Sequence, residues 1–167
     1  MGAGTMPAMP VPDVIPIAHE PDYRTATIGR YDGGQFFASL TYAFRDGYNA
    51  TWGDWRDHKL AFAVLHRFDD DGRHVESEIL TGGTVREERD GVTVTPGLEE
   101  WLDDRLDALS GREFRSIAIR PFQTTHDGVL FGLVLERHGE GTGADDWAEL
   151  YPDGLGFHEP WDGFYDT

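Results

Sequence analysis

The chain has 167 residues, 14 Lys+Arg against 31 Asp+Glu, no cysteine and a formal net charge of −17. This length suits one domain with a real core, and 39% hydrophobic with 13% aromatic residues argues against general disorder. The lack of cysteine excludes a disulfide scaffold, a zinc-thiolate site, an iron–sulfur cluster and a cysteine nucleophile, while the carboxylate excess repels nucleic acid and anionic membrane.

In chain order, residues 1–10 hold no Lys or Arg and no apolar stretch of signal-peptide type. No apolar run approaches the ~18 residues of a membrane span, so the expected compartment is the cytoplasm. Pro10, Pro12, Pro16 and Pro21 remove amide donors and favour extended chain. Residues 1–22 therefore read as a flexible Pro-rich leader, with order beginning near Tyr23 and a single domain over 23–167.

Two strand-like runs, 23–31 and 35–44, flank Asp32-Gly33-Gly34, which is a hairpin signal. Within the second run Phe36, Ala38, Leu40, Tyr42 and Phe44 share one face, and Phe37, Ser39, Thr41 and Ala43 form a partly apolar opposite face. Residues 45–58 are polar and Gly-rich but contain Trp52 and Trp55. Strands at 60–68 and 73–80 make a second hairpin around Asp69-Asp70-Asp71-Gly72, followed by a loop over 81–95 with a short strand at Gly91–Thr95.

Residues 96–110 read as the one helix. Leu98, Trp101, Leu102, Arg105, Leu106 and Leu109 form its stripe, and Glu99, Glu100, Asp103, Asp104 and Asp107 fill the opposite face. Thr95 suits the N-cap, Pro96 the first helical position, and Ser110-Gly111 the stop. A third hairpin joins 114–122 to 129–138, residues 139–146 form an acidic loop, and 147–151 read as a last strand before an aromatic tail over 152–167. The expected fold is α+β: one antiparallel sheet of six or seven strands built from hairpins, with one amphipathic helix packed on one face.

Motifs for chemistry are scarce. A calcium loop counted from Arg67 would place Asp69, Asp71, Gly72 and Glu78 correctly, but its first position is an arginine and its flanks are strands, so a solvated turn is expected and no metal. His66 and His74 lie on adjacent strands and could approach, yet two histidines without a third ligand are weak evidence for a site. No serine stands in a nucleophile elbow, and there is no phosphate loop or dinucleotide fingerprint, so neither catalytic residue nor cofactor is assigned. The tripeptide His-Glu-Pro occurs at 19–21 and again at 158–160, and the two would form a polar site if they met.

The leading expectation is a non-catalytic protein that binds a basic protein partner through acidic and aromatic surface. Its residues are Glu99, Glu100, Asp103, Asp104 and Asp107 on the helix, with Trp161, Asp162 and Tyr165 in the tail. The rival expectation is an enzyme or small-ligand binder whose pocket is framed by Trp52, Trp55, His66, His158 and Glu159.

The stretches VIPIAHEPDYRTATIGRYDGGQFFA, AFAVLHRFDDDGRHVESE and AELYPDGLGFHEPWDGFYDT resemble a family of small bacterial proteins, many from actinobacteria, labelled formate hydrogenlyase regulatory protein. The resemblance covers most of residues 10–167 and implies a cytoplasmic, non-enzymatic regulator with no catalytic residues to carry over. In character rather than by motif, the chain is also similar to small acidic immunity proteins that neutralise basic toxin domains.

Overall fold

A computed structural model describes residues 10–91, 97–136 and 146–167. Its strands are β1 (Ile15–Ile17), β2 (Ile28–Tyr31), β3 (Gly34–Phe44), β4 (Lys59–Phe68), β5 (His74–Thr84), β6 (Glu113–Phe114), β7 (Ile117–Ile119), β8 (Phe122–His126), β9 (Val129–Glu136), β10 (Trp147–Tyr151) and β11 (Leu155–Phe157). Two helices, α1 (Val85–Arg89) and α2 (Leu98–Asp107), lie between β5 and β6.

The centre is the long β3–β4 pair, whose alternation sends apolar side chains to both faces. Register pairs Phe37 with His66, Thr41 with Phe62 and Ala43 with Leu60 on one face, and Ala38 with Leu65 and Leu40 with Ala63 on the other. A sheet apolar on both faces needs a cover on each side. The five-stranded sheet, in the order β5-β4-β3-β2-β6, meets a four-stranded sheet, β11-β10-β9-β8, on one side. Between them Phe37, Phe68, Leu133, Leu150, Leu155 and Phe157 form one cluster, and Phe62, Val64, Val129 and Phe131 another.

On the other side Leu102 and Leu106 of α2 pack on Phe36, Ala38, Ala63 and Leu65. Leu98 also meets β5 closely: a Cβ on Gly82 would stand 2.7 Å from Leu98 Cδ1. Glycine there is what lets the helix settle on the sheet.

The antiparallel pairing and a helix on one sheet face agree with expectation, but the molecule is mostly β, with two short helices where one was expected. The single sheet of six or seven strands does not hold, since the strands divide among sheets of five, four and two. The run 114–122, expected as one strand, breaks into β6, β7 and the start of β8, which serve three different sheets. Pro121, with no amide hydrogen, stands at the corner before β8.

The leader is also corrected. Ile15 and Ile17 are fully buried, and β1 pairs with β7 in a two-stranded sheet through Ile15–Ile119 and Ile17–Ile117. Residues 81–90, expected as loop, continue β5 to Thr84 and then form α1, opened by a capping box between Thr84 and Glu87. In the tail, Leu155–Phe157 adds a strand to β10. The helix expected over 96–110 with Thr95 as N-cap runs instead over Leu98–Asp107 with Gly97 at its N-cap and Ala108 at its C-cap. Thr95 and Pro96, most of the short strand at 91–95, and most of the acidic loop at 139–146 lie outside the described residues.

The burial of β1 makes a direct prediction. Ile17→Ala should destabilise the protein by about 2–4 kcal/mol in urea unfolding, the range for truncating a buried isoleucine. A change within about 0.5 kcal/mol, typical of a surface position, would return the segment to a loose leader.

Candidate functional site

Among the described residues, the cover on the outer face of the five-stranded sheet is incomplete. β3 has 11 residues and spans about 36 Å, whereas the 10 residues of α2 span about 15 Å. Phe36 and Ala38 lie under the helix, but Leu40 and Tyr42, next on the same face, stay 40% and 45% exposed. Two grooves open there.

One, of about 530 Å³, has Leu40, Tyr42, Ala61 and Gly83 at its floor, with Glu88, Leu98, Glu99 and Glu100 around it. The other, of about 390 Å³, lies between Tyr23 and Arg24 and the flank of α2, where Glu99, Leu102, Asp103 and Leu106 line it. Leu40 and Glu99 belong to both, so the two form one trough beside the helix.

The rim is mainly anionic, and its one lining arginine among the described residues, Arg24, pairs with Asp153. Among the described residues, no Lys or Arg lies within ion-pair distance of Glu88, Glu99, Glu100 or Asp103. The Tyr42 hydroxyl donates to Glu88 Oε2 at 3.0 Å. Partial burial, then the Glu88 hydrogen bond and the charges of Glu88 and Glu99, push this phenol above its ordinary value.

An aromatic patch continues this surface. Phe44, one step beyond Tyr42, stacks on Tyr48 at 4.1 Å, and Tyr48 meets Trp52 edge-on at 6.0 Å. Lys59 Nζ lies 5.6 Å from the Phe44 ring centre and 5.8 Å from that of Trp55. Trp52 and Trp55 remain 58% and 42% exposed. Arg86 of α1 pairs with Asp54 and Asp57 and so ties the 45–58 connection to the helix that carries Glu88.

Of the acidic helix residues, Glu99, Glu100 and Asp103 come together at the trough. Asp104 and Asp107 are exposed outside it, and Asp107 pairs with Arg112 at 3.4 Å. The tail residues lie elsewhere. Trp161 and Tyr165 pack against the inter-sheet core, and only Asp162 is freely exposed. The tail is clasped by a hydrogen-bonded pair of His158 and Asp166 and by a backbone bridge of Gly156 to Asp166.

The residues of the rival pocket do not converge. Trp52 and Trp55 lie on the 45–58 connection, His66 is buried between the sheets, and His158 and Glu159 belong to the tail. Beside the two His-Glu-Pro segments, Ala18 N–H donates to Gly163 O at 2.9 Å. Their histidines, however, turn to separate partners, His19 to Ala26 O and His158 to Asp166.

His66 and His74 do come together, through a residue that sequence reasoning missed. Ser77 Oγ lies 2.6 Å from His66 Nδ1 and 2.7 Å from His74 Nε2. A hydroxyl has one hydrogen, so Ser77 donates to one imidazole and accepts from the other. Period-two spacing put Ser77 opposite His66 in the β4–β5 register, which was the available signal. Phe122 stacks on His74 at 4.6 Å and meets the His66 ring edge-on at 4.9 Å.

Burial, reinforced by the charge His74 would carry, pushes His66 down to about 3, and burial also lowers His74. Both imidazoles are thus neutral near pH 7. Among the described residues no group of three His, Asp or Glu could hold a metal ion. At the hairpin tip Asp69 Oδ1 instead accepts from the amides of Asp71 and Arg73, each at 2.9 Å. The His66–Ser77–His74 chain thus joins β4 to β5 beside Phe122 of β8 as a polar latch, buried at His66 and half-buried at Ser77 and His74.

A second polar link involves Asp153 on the β10–β11 turn, whose side chain is 3% exposed and accepts from the Thr41 hydroxyl and from Arg24 Nη2 at 3.4 Å. Burial raises its carboxyl above the usual range, while Thr41 and Arg24 pull the other way.

Fold and site together define a layered α/β/β protein with an acidic, apolar-floored trough on its helical side. Comparison with family models, with curated proteins and with solved structures returns no match. Among the described residues no helix is long and apolar enough to cross a membrane.

The latch predicts a pH dependence. His66 has a lower pKa folded, about 3, than the ~6.5 of an unfolded imidazole, so below pH 6.5 the unfolded chain binds the extra proton. The His66 contribution is full above that pH and is lost as pH falls toward 3. The stability gap between wild type and His66→Gln, from urea unfolding, should therefore shrink by up to about 1.4 kcal/mol per pH unit between pH 6 and 4. A gap independent of pH would mean that His66 titrates normally.

Proposed function

We propose that this chain is a non-catalytic binding protein that engages a basic protein partner at the trough beside α2. The observation that carries the reading is the placement of Glu99, Glu100 and Asp103, none of them in an ion pair with a described Lys or Arg, along an exposed apolar floor of Leu40 and Tyr42. Acidic side chains scattered over a surface aid solubility, whereas acids bordering a concave apolar strip also offer orientation and area to a cationic surface. A regulatory role, as the resemblance implies, and an inhibitory role of the immunity type both use this chemistry. The tail contributes less than the sequence suggested, because Trp161 and Tyr165 are committed to the core.

The test is a titration of isotopically labelled protein with an octa-arginine peptide at 20 and 300 mM salt. Amide shifts should concentrate on residues 98–104 and on β3 around Leu40–Tyr42, and weaken strongly with salt. Glu99→Lys/Glu100→Lys/Asp103→Lys should reduce affinity about tenfold or more at low salt. Shifts spread evenly over every acidic surface, unaltered by the triple variant, would reduce the charge to compositional background.

A further inference from the structure

The uncovered strip is longer than the trough alone. From Leu40 through Tyr42 to Phe44 it runs along one strand face for about 14 Å, and Tyr48, Trp52 and Trp55 prolong it past the end of the strand. Of the eight large apolar side chains exposed among the described residues, Tyr23, Leu40 and Tyr42 line the trough and Trp52 and Trp55 join it through Tyr48, Phe44 and Lys59, the other three being Val75, Phe114 and Phe164. The floor between them is flat, because Ala61 and Gly83 present almost no side chain. A floor of small residues beside a packed helix is the shape that accepts a second helix, since backbones approach closely there.

Charge selects the occupant. A second copy of this chain would bring like charge onto Glu88, Glu99, Glu100 and Asp103, and an anionic membrane would do the same, so the exposed tryptophans do not indicate either. We infer that the trough receives an amphipathic helix of about three turns from the partner protein, its apolar stripe on Leu40 and Tyr42 and its arginine- or lysine-bearing flank against Glu88, Glu99 and Glu100. The inference rests on the basic-partner reading and specifies how that partner is held. The incoming helix lies beside α2 and completes the helical layer, and Trp52 and Trp55 receive its far end.

The experiment uses two labelled 14-residue peptides of identical leucine and arginine content. In one, the leucines follow the i, i+3, i+4, i+7 spacing of a single helix face; in the other they are scrambled around the helix. Binding is read by fluorescence anisotropy at 100 mM salt. The amphipathic peptide should bind at least tenfold tighter than the scrambled one. Leu40→Glu should abolish that preference while leaving the scrambled peptide's affinity within about twofold, and Trp52→Ala should weaken the amphipathic peptide alone, by about threefold or more. Leu40 and Trp52 are exposed, and circular dichroism melts of both variants are the check that each still folds.

Equal affinity for the two peptides would overturn the helix inference and leave the basic-partner reading standing. A preference that survives Leu40→Glu would overturn the location. Failure of both peptides to bind even at 20 mM salt would overturn the basic-partner reading and the inference with it.

Discussion

The constraint on which this molecule depends is that its two central strands have no polar face. Phe36, Ala38 and Leu65 point one way, and Phe37, Phe62, Val64 and Phe68 the other, and most are wholly buried. At roughly 25 cal/mol per Å² of apolar surface, leaving either face in water would forfeit more free energy than a domain's whole margin of stability. The four-stranded sheet on one side and α2 on the other answer this requirement. The small β1–β7 sheet then closes the inter-sheet core at its edge, with Ile15, Ile17, Ile117 and Ile119.

Polar groups trapped between the sheets follow from the same geometry. Thr41 and His66 occupy inward positions on β3 and β4, where any polar atom needs a partner. Thr41 finds the Asp153 carboxylate and His66 finds Ser77, each from a neighbouring element. Both links therefore join separate parts of the chain rather than consecutive residues. They fix where the elements sit as well as satisfying hydrogen bonds, and a register slip in β5 would remove Ser77 from His66.

Local features were legible in the amino-acid sequence to the extent that they were periodic. The helix stripe of Leu98, Leu102 and Leu106 packs as its spacing implies, and the hairpins at Asp32-Gly33 and Asp69–Gly72 form where turn residues interrupt alternation. What escaped was whatever depends on pairing at long range. A three-residue strand such as β1 has too little alternation to register, and Pro16 within it suggests a leader, although its pair Ala118 belongs to an equally short strand. The division of 114–122 among three sheets has no local signal beyond Pro121. Of the site, the acids of α2 were visible, but the exposure of Leu40 and Tyr42 was not. A face that alternates perfectly reads as core, and only the shortness of α2 relative to β3 exposes its second half.

That difference decides how the surface should be weighed. Glu99 and Glu100 occupy the first turn of α2, where carboxylates favour the helix dipole by about 0.3–1 kcal/mol each, so stability alone accounts for them. Asp103 and Asp104 stand beyond that turn, and Arg105 and Arg112 engage Glu78 and Asp107 rather than these two. Leu40 has no such account, and Tyr42, though its hydroxyl is bonded to Glu88, keeps its ring 45% exposed: a polar residue at position 40 would spare the folded chain exposed apolar surface at no loss of core. Trp52 and Trp55 add to the strip from a connection held in place by Arg86, so its extent is built rather than frayed. The informative feature is therefore the apolar strip with its acidic border, and the bare −17 matters chiefly where it meets that strip.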